Sequence, residues 1–88
     1  MNTRFKKSYE RDLKKIIDKT LRADIKQTVR SVKNAQTMRD IPRLRKLEGY
    51  RIHYRIRDGD YRTGVTIEGN LVTFHRCLPR KDFYKHFP

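Results

Sequence analysis

The chain has one cysteine, four glycines, three prolines and no tryptophan in 88 residues. Cys77 stands alone, so no intrachain disulfide can form, and a reducing, cytoplasmic setting is expected. No apolar run approaches the roughly 20 residues a membrane-spanning helix needs, so no membrane partner is expected. Met1 to Lys7 lacks the apolar stretch of a secretory signal. There is no Gly-rich phosphate loop and no zinc-finger spacing, so no small-molecule cofactor is expected. Acid is also scarce. Ten Asp and Glu face 23 Lys and Arg, which leaves a formal charge of +13.

The remaining composition is 35% hydrophobic and 38% charged, near the border of disorder. Five Tyr and four Phe spread along the chain, with no low-complexity run, argue instead for a folded domain with a thin core. Residues 1–88 read as one domain. Its charge calls for a polyanionic partner: nucleic acid, the ribosome or an acidic protein.

The pattern changes near Gly49. Before it, apolar residues recur at helical spacing. Ser8 is an N-cap candidate with Glu10 and Asp12 in the first turn, and Tyr9, Leu13, Ile16 and Ile17 form a stripe. Thr20 is the candidate cap of a second helix, with Leu21, Ile25, Val29 and Val32 as its stripe and Thr28 alongside. A helical hairpin would bury both stripes. Pro42 is placed to open a short helix through Leu44 and Leu47, closed by Gly49.

After Gly49 the period is two. Tyr50, Ile52, Tyr54 and Ile56 alternate with Arg51, His53, Arg55 and Arg57. Asp58-Gly59 and Gly69-Asn70 read as two-residue turns between three antiparallel strands, and Pro79 ends the third. This predicts an α+β fold, with an N-terminal helical hairpin packed on a C-terminal antiparallel β-sheet. In the register those turns imply, Arg57 faces Asp60, Ile56 faces Tyr61, Ile52 faces Val65, Val65 faces Phe74 and Ile67 faces Val72. Arg55 then faces Arg62, a repulsive pair. The second sheet face collects Arg51, His53, Arg55, Arg57, Arg62, Thr66, Thr73 and His75.

Gly64 lowers the floor between His53 and His75, where a close approach is expected. Arg outnumbers Lys six to two after Gly49, while Lys leads eight to seven before it. Guanidinium groups fork onto phosphates in a way ammonium groups do not. The sheet arginines therefore mark a candidate anion site, and a bound anion would offset their repulsion. His53, His75 and His86 are candidates for proton transfer, His75 foremost as the acid. His53 and His75 stand two strand spacings apart, about 9.6 Å. With Cys77 they supply too few ligands for zinc, so no metal is expected.

Four segments resemble the RelE/ParE superfamily of bacterial toxins. Phe5-Lys6-Lys7-Ser8-Tyr9-Glu10-Arg11-Asp12-Leu13-Lys14-Lys15-Ile16 is similar to its opening helix. Leu47-Glu48-Gly49 and Arg57-Asp58-Gly59-Asp60-Tyr61-Arg62 resemble its central hairpin. Arg80-Lys81-Asp82-Phe83-Tyr84 resembles its C-terminal signature. The resemblance implies a toxin neutralised by a cognate antitoxin. RelE-like members cut mRNA in the ribosomal A site without a metal, whereas ParE-like members act on DNA gyrase and lack the nuclease residues. A basic RNA-binding domain without toxicity is a third possibility.

The resemblance carries catalytic roles to Arg62, Arg80 and Tyr84. His53 and Arg55 fall where RelE-like enzymes have two lysines, and Leu78-Pro79 departs from the usual residues before the C-terminal Arg. Arg holds phosphate but is a poor proton carrier. This again leaves His53 and His75 as proton-transfer candidates. Arg51, Arg55, Arg57, Arg76 and Lys81 are the candidate RNA-binding residues around them. The expected partners are the antitoxin, the ribosome and mRNA.

Overall fold

The computed structural model describes residues 1–88. Strand β1 (Asn2–Phe5) leads into α1 (Lys7–Lys14) and α2 (Lys19–Asn34). A 3-10 turn at Met38–Asp40 precedes β2 (Leu44–Lys46), β3 (His53–Asp58), β4 (Tyr61–Glu68), β5 (Leu71–Pro79) and α3 (Arg80–His86). The strands form one sheet in the order β1-β5-β4-β3-β2. β1 is parallel to β5, and every other pair is antiparallel. The α+β architecture expected from the sequence is therefore present, with a mixed five-stranded sheet. No helix is long and apolar enough to cross a membrane.

The two N-terminal helices form as the stripes require, although their caps differ from expectation. The Asp18 side chain accepts from the Leu21 N–H at 3.1 Å and so caps α2 in place of Thr20. Ser8 lies inside α1, and its hydroxyl donates to the His75 carbonyl at 2.7 Å, tying the helix to β5. Lys6 is the N-cap of α1, because its N–H is still paired to the Phe74 carbonyl (3.0 Å) as the chain leaves β1. Ile17 falls in the link between the helices and is 91% exposed. Tyr9, Ile16, Ile25 and Val32 are buried against Ile56, Val65, Val72 and Phe74 of the sheet.

The expected helix after Pro42 is replaced by an edge strand. Thr37 and Asp40 form a reciprocal capping box that confines the helical turn to Met38–Asp40. Arg43 then takes a left-handed backbone (φ 58°), which breaks any continuation, and Leu44–Lys46 pairs with β3.

The β3–β4 hairpin slides relative to the expected register. Its turn is Gly59-Asp60, with Asp58 in the strand opposite Tyr61. Gly59, at the first turn position, supplies the positive φ of 57°. Arg57 faces Arg62 rather than Asp60, Arg55 faces Gly64, Ile56 faces Thr63, and Tyr54 takes the place of Ile52 opposite Val65. The cause is Asp58, whose carboxylate is buried against Thr28 of α2 and so occupies a strand position facing the helices. The slide conserves parity, so each residue keeps its face. The β4–β5 hairpin has the expected pairs Val65–Phe74 and Ile67–Val72. Beyond them Gly64 pairs with Arg76, which leaves His75 as the extra residue of a β-bulge.

The sheet face away from α1 and α2 is partly covered. Leu47, Phe83 and Phe87 form a second, smaller apolar cluster there, with Leu78 against it. Phe83 and Phe87 lie four residues apart, on one side of α3 and its end.

Candidate nucleic-acid interface

Arginines meet on the face that α3 borders. The register aligns Arg45 with Arg55 and Arg57 with Arg62, and alternation puts all four on one side of the sheet. Arg62 is only 9% exposed. Its guanidinium donates to the carbonyls of Gly59 (2.8 Å) and Tyr61 (3.1 Å), and no carboxylate pairs with it. Burial lowers its pKa from the usual guanidinium value. The neighbouring charges of Arg55, Arg80 and Arg57 lower it further, while Tyr84 acts in the opposite sense. These four groups are therefore close around Arg62.

Arg80 opens α3, and its N–H donates to the Asp60 carbonyl at 2.7 Å. Tyr84 follows one turn later, exposed and edge-on to Phe83 at 4.9 Å between ring centres. Four cations and a phenol thus converge where the hairpin turn meets α3. The arrangement can grip a phosphate with forked donors and offer a ring to a neighbouring base. Arg51, in the bend before β3, and Lys81, on α3, are exposed.

Other expected residues lie elsewhere. Arg76 is not free for RNA: its Nε and Nη2 donate to the two oxygens of Asp12 on α1, at 2.8 and 3.2 Å. Asp12, expected in the first turn of its helix as a complement to the helix dipole, is buried and also accepts from the Cys77 N–H at 3.0 Å. Cys77 is buried too, its thiol pushed up to about 12 by burial.

His53 and His75 flank Phe87, each ring 5.6 Å from it. His75 Nε2 is 2.9 Å from the Thr66 hydroxyl. Its pKa is lowered by burial, by Lys6 and by His53, so the ring is neutral at neutral pH. His53 Nδ1 is buried without a hydrogen-bond partner. Thr66, which holds His75, is four residues along β4 from Arg62, roughly 13 Å. The histidines are therefore not gathered with the arginines. Gly64 does serve a close approach, but by this chain's own Phe87: a Cβ at Gly64 would lie 2.6 Å from ring carbons of Phe87. No three His, Cys, Asp or Glu side chains come together as a metal would require.

Arg45 joins this face unannounced, because Pro42 predicts a helix through Leu44 and Leu47 where the chain forms β2. The signal was present in Leu44-Arg45, which continues the apolar–basic alternation of the strands. The covering role of Phe87 is likewise unannounced, although the Phe83–Phe87 spacing is its cue.

On the opposite side, α1, α2 and β1 enclose an open apolar groove of about 540 Å³ lined by Phe5, Tyr9, Leu13, Ala23, Ile25 and Val29. Lys19, Arg22 and Lys26 rim it, against the single acid Glu10.

Residues 3–81 match the family model described as the ParE toxin of the type II toxin–antitoxin system parDE. Along its whole length the chain is 35% identical to Toxin RelE3 of Methanocaldococcus jannaschii, over 89 aligned residues that also cover 100% of that protein. The fold is similar to that in the crystal structure of a RelB–RelE antitoxin–toxin complex from Methanococcus jannaschii. There the TM-score is 0.80 and the identity 33%, over 97% of this chain and 99% of that one. An archaeal RelE–RelB complex from Pyrococcus horikoshii shares the fold at a TM-score of 0.72 and 20% identity, over 90% of this chain and 93% of its own.

Proposed function

The chain belongs to the RelE/ParE superfamily of toxins of type II toxin–antitoxin systems, and from that premise we propose that it is a cytoplasmic, ribosome-dependent endoribonuclease that cuts mRNA without a metal. The observation that carries this reading is Arg62: buried, without a carboxylate, among Arg55, Arg57, Arg80 and Tyr84. A fold gains nothing from such repulsion, and a phosphodiester relieves it.

Cleavage proceeds by attack of a 2′-OH on the adjacent phosphate, with departure of the 5′-oxygen. Arg62 and Arg80 meet the charge that builds on the phosphoryl oxygens and on the leaving oxygen. Tyr84 orients the 2′-OH or stacks on the flanking base. Arg45, Arg55 and Arg57 line the backbone path, with Arg51 and Lys81 at its margins. His53 and His75 lie beneath Phe87 and support α3 in this scheme.

In a reconstituted translation system, the toxin is expected to leave codon-specific ends in translated mRNA that fall about 10²-fold or more with Arg62→Ala. The match to the ParE model favours a second reading, a toxin that acts on DNA gyrase without cutting RNA. Intact mRNA together with halted supercoiling would establish that reading and overturn the first.

The RelB–RelE complexes among the similar structures, together with the charge of +13, support a cognate acidic antitoxin as partner. The apolar groove with its basic rim suits an amphipathic helix with acidic flanks. Co-purification with the product of the adjacent small gene tests this.

A further inference from the structure

The turn Gly59-Asp60 holds the proposed site together. The Gly59 carbonyl accepts from the Arg62 guanidinium, and the Asp60 carbonyl accepts from the Arg80 N–H. Whatever fixes this turn fixes both arginines. Its strand side is anchored to α2 by the buried Asp58–Thr28 contact and, from outside the site, by Arg43. Arg43 Nε donates to the Arg57 carbonyl at 2.6 Å, and Nη2 donates to Asp58 Oδ1 at 3.1 Å and Thr28 Oγ1 at 3.2 Å. The Thr28 hydroxyl in turn donates to the same Asp58 oxygen at 2.8 Å.

Arg43 makes this fork from a left-handed backbone, φ 58°, a conformation a bulky side chain keeps only where its surroundings hold it there. Asp58 is buried and uses Oδ1 alone, Oδ2 having no partner. The cluster is therefore built around what Arg43 reaches. Lys cannot replace it, because one ammonium does not span the Arg57 carbonyl and the Asp58 carboxylate in a fixed plane.

We propose that Arg43 is a positioning residue that clamps the β3–β4 turn to α2 and thereby sets Arg62 and Arg80 for cleavage. Its kinetic arm rests on the nuclease reading, and a spectroscopic arm does not.

The test uses the full chain and Arg43→Met, which keeps the volume of the stem. With ribosome-bound mRNA, kcat is expected to fall about tenfold or more while KM stays within about twofold. Arg43→Lys is expected to restore little. In a background carrying both Arg62→Ala and Arg80→Ala the same change is expected to cost less than about twofold, since it acts through those two arginines. Val72→Ala, a core change with its own loss of Tm, controls for stability and is expected to leave kcat unchanged.

A raised KM with unchanged kcat and a steep salt dependence would make Arg43 a direct phosphate contact and overturn the proposal, as would a full tenfold loss in the background lacking both Arg62 and Arg80. Independently of cleavage, the Arg62 guanidinium N–H is expected to give a sharp NMR signal that broadens in Arg43→Met. An unchanged Arg62 signal overturns the clamp. If the wild type cuts no mRNA, the nuclease reading falls and the NMR result alone decides the clamp.

Discussion

Arg62 and Arg76 sit on adjacent strands, and their environments are opposite. Arg76 is matched: Asp12 takes both of its donors, and that hydrogen-bonded pair raises its pKa. Arg62 is unmatched: burial and neighbouring arginines lower its pKa, and only backbone carbonyls meet its donors. A charge completed within the chain belongs to the fold. A charge left incomplete, in a chain that spends acids on Arg43 and Arg76, leaves its donors open to an anion from outside the chain.

Exchanging the fates of the two residues is the most direct way to break this contrast. Arg62→Ala is expected to reduce mRNA cleavage by about 10²-fold or more with little change in thermal stability. Parallel loss of both would place Arg62 in the fold. Arg76→Ala is expected to do the reverse. It leaves Asp12 buried with only the Cys77 N–H, at a cost of about 3 kcal/mol in denaturant unfolding. The surviving folded fraction should cleave at the normal rate.

Providing the missing acid sharpens the contrast further. Arg57→Asp places a carboxylate directly opposite Arg62 and is expected to add about 0.5 kcal/mol of stability while suppressing cleavage. The smallest effect concerns His75, a cation avoided by neutrality. Its folded pKa lies below the ordinary 6.5, so under that pH the unfolded chain binds the proton more readily. Stability is full above about pH 6.5 and declines as pH falls through the window below it. His75→Gln should flatten that decline in Tm.

The parts legible in the sequence were those with strong periods. The two helices and the three long strands follow from spacing, and the segments Arg57–Arg62 and Arg80–Tyr84 named the end of the sheet where the structure brings the arginines together. Three things were hidden for physical reasons. β1 has a single large apolar residue, Phe5, and pairs in parallel with a strand far along the chain, so no local turn announces it. β2 is three residues long, and Pro42 before it resembles a helix start. Whether an arginine is matched depends on tertiary contacts: Asp12 lies 64 residues from Arg76 and reads locally as a helix-dipole acid. What covers His53 and His75 was hidden for a similar reason. The β-bulge and the return of Phe87 over Gly64 are decided by packing, and no alternation of residues reports them.

The pairing of β1 with β5 sets the order of events during synthesis. Residues 2–5 emerge first and must wait for residues 71–74 before they acquire a neighbour. At about 5–20 residues per second that delay lasts several seconds. Arg80 and Tyr84 emerge later still. The arginine cluster is thus completed only after nearly every codon has been read, while α1 and α2 belong to the part made first.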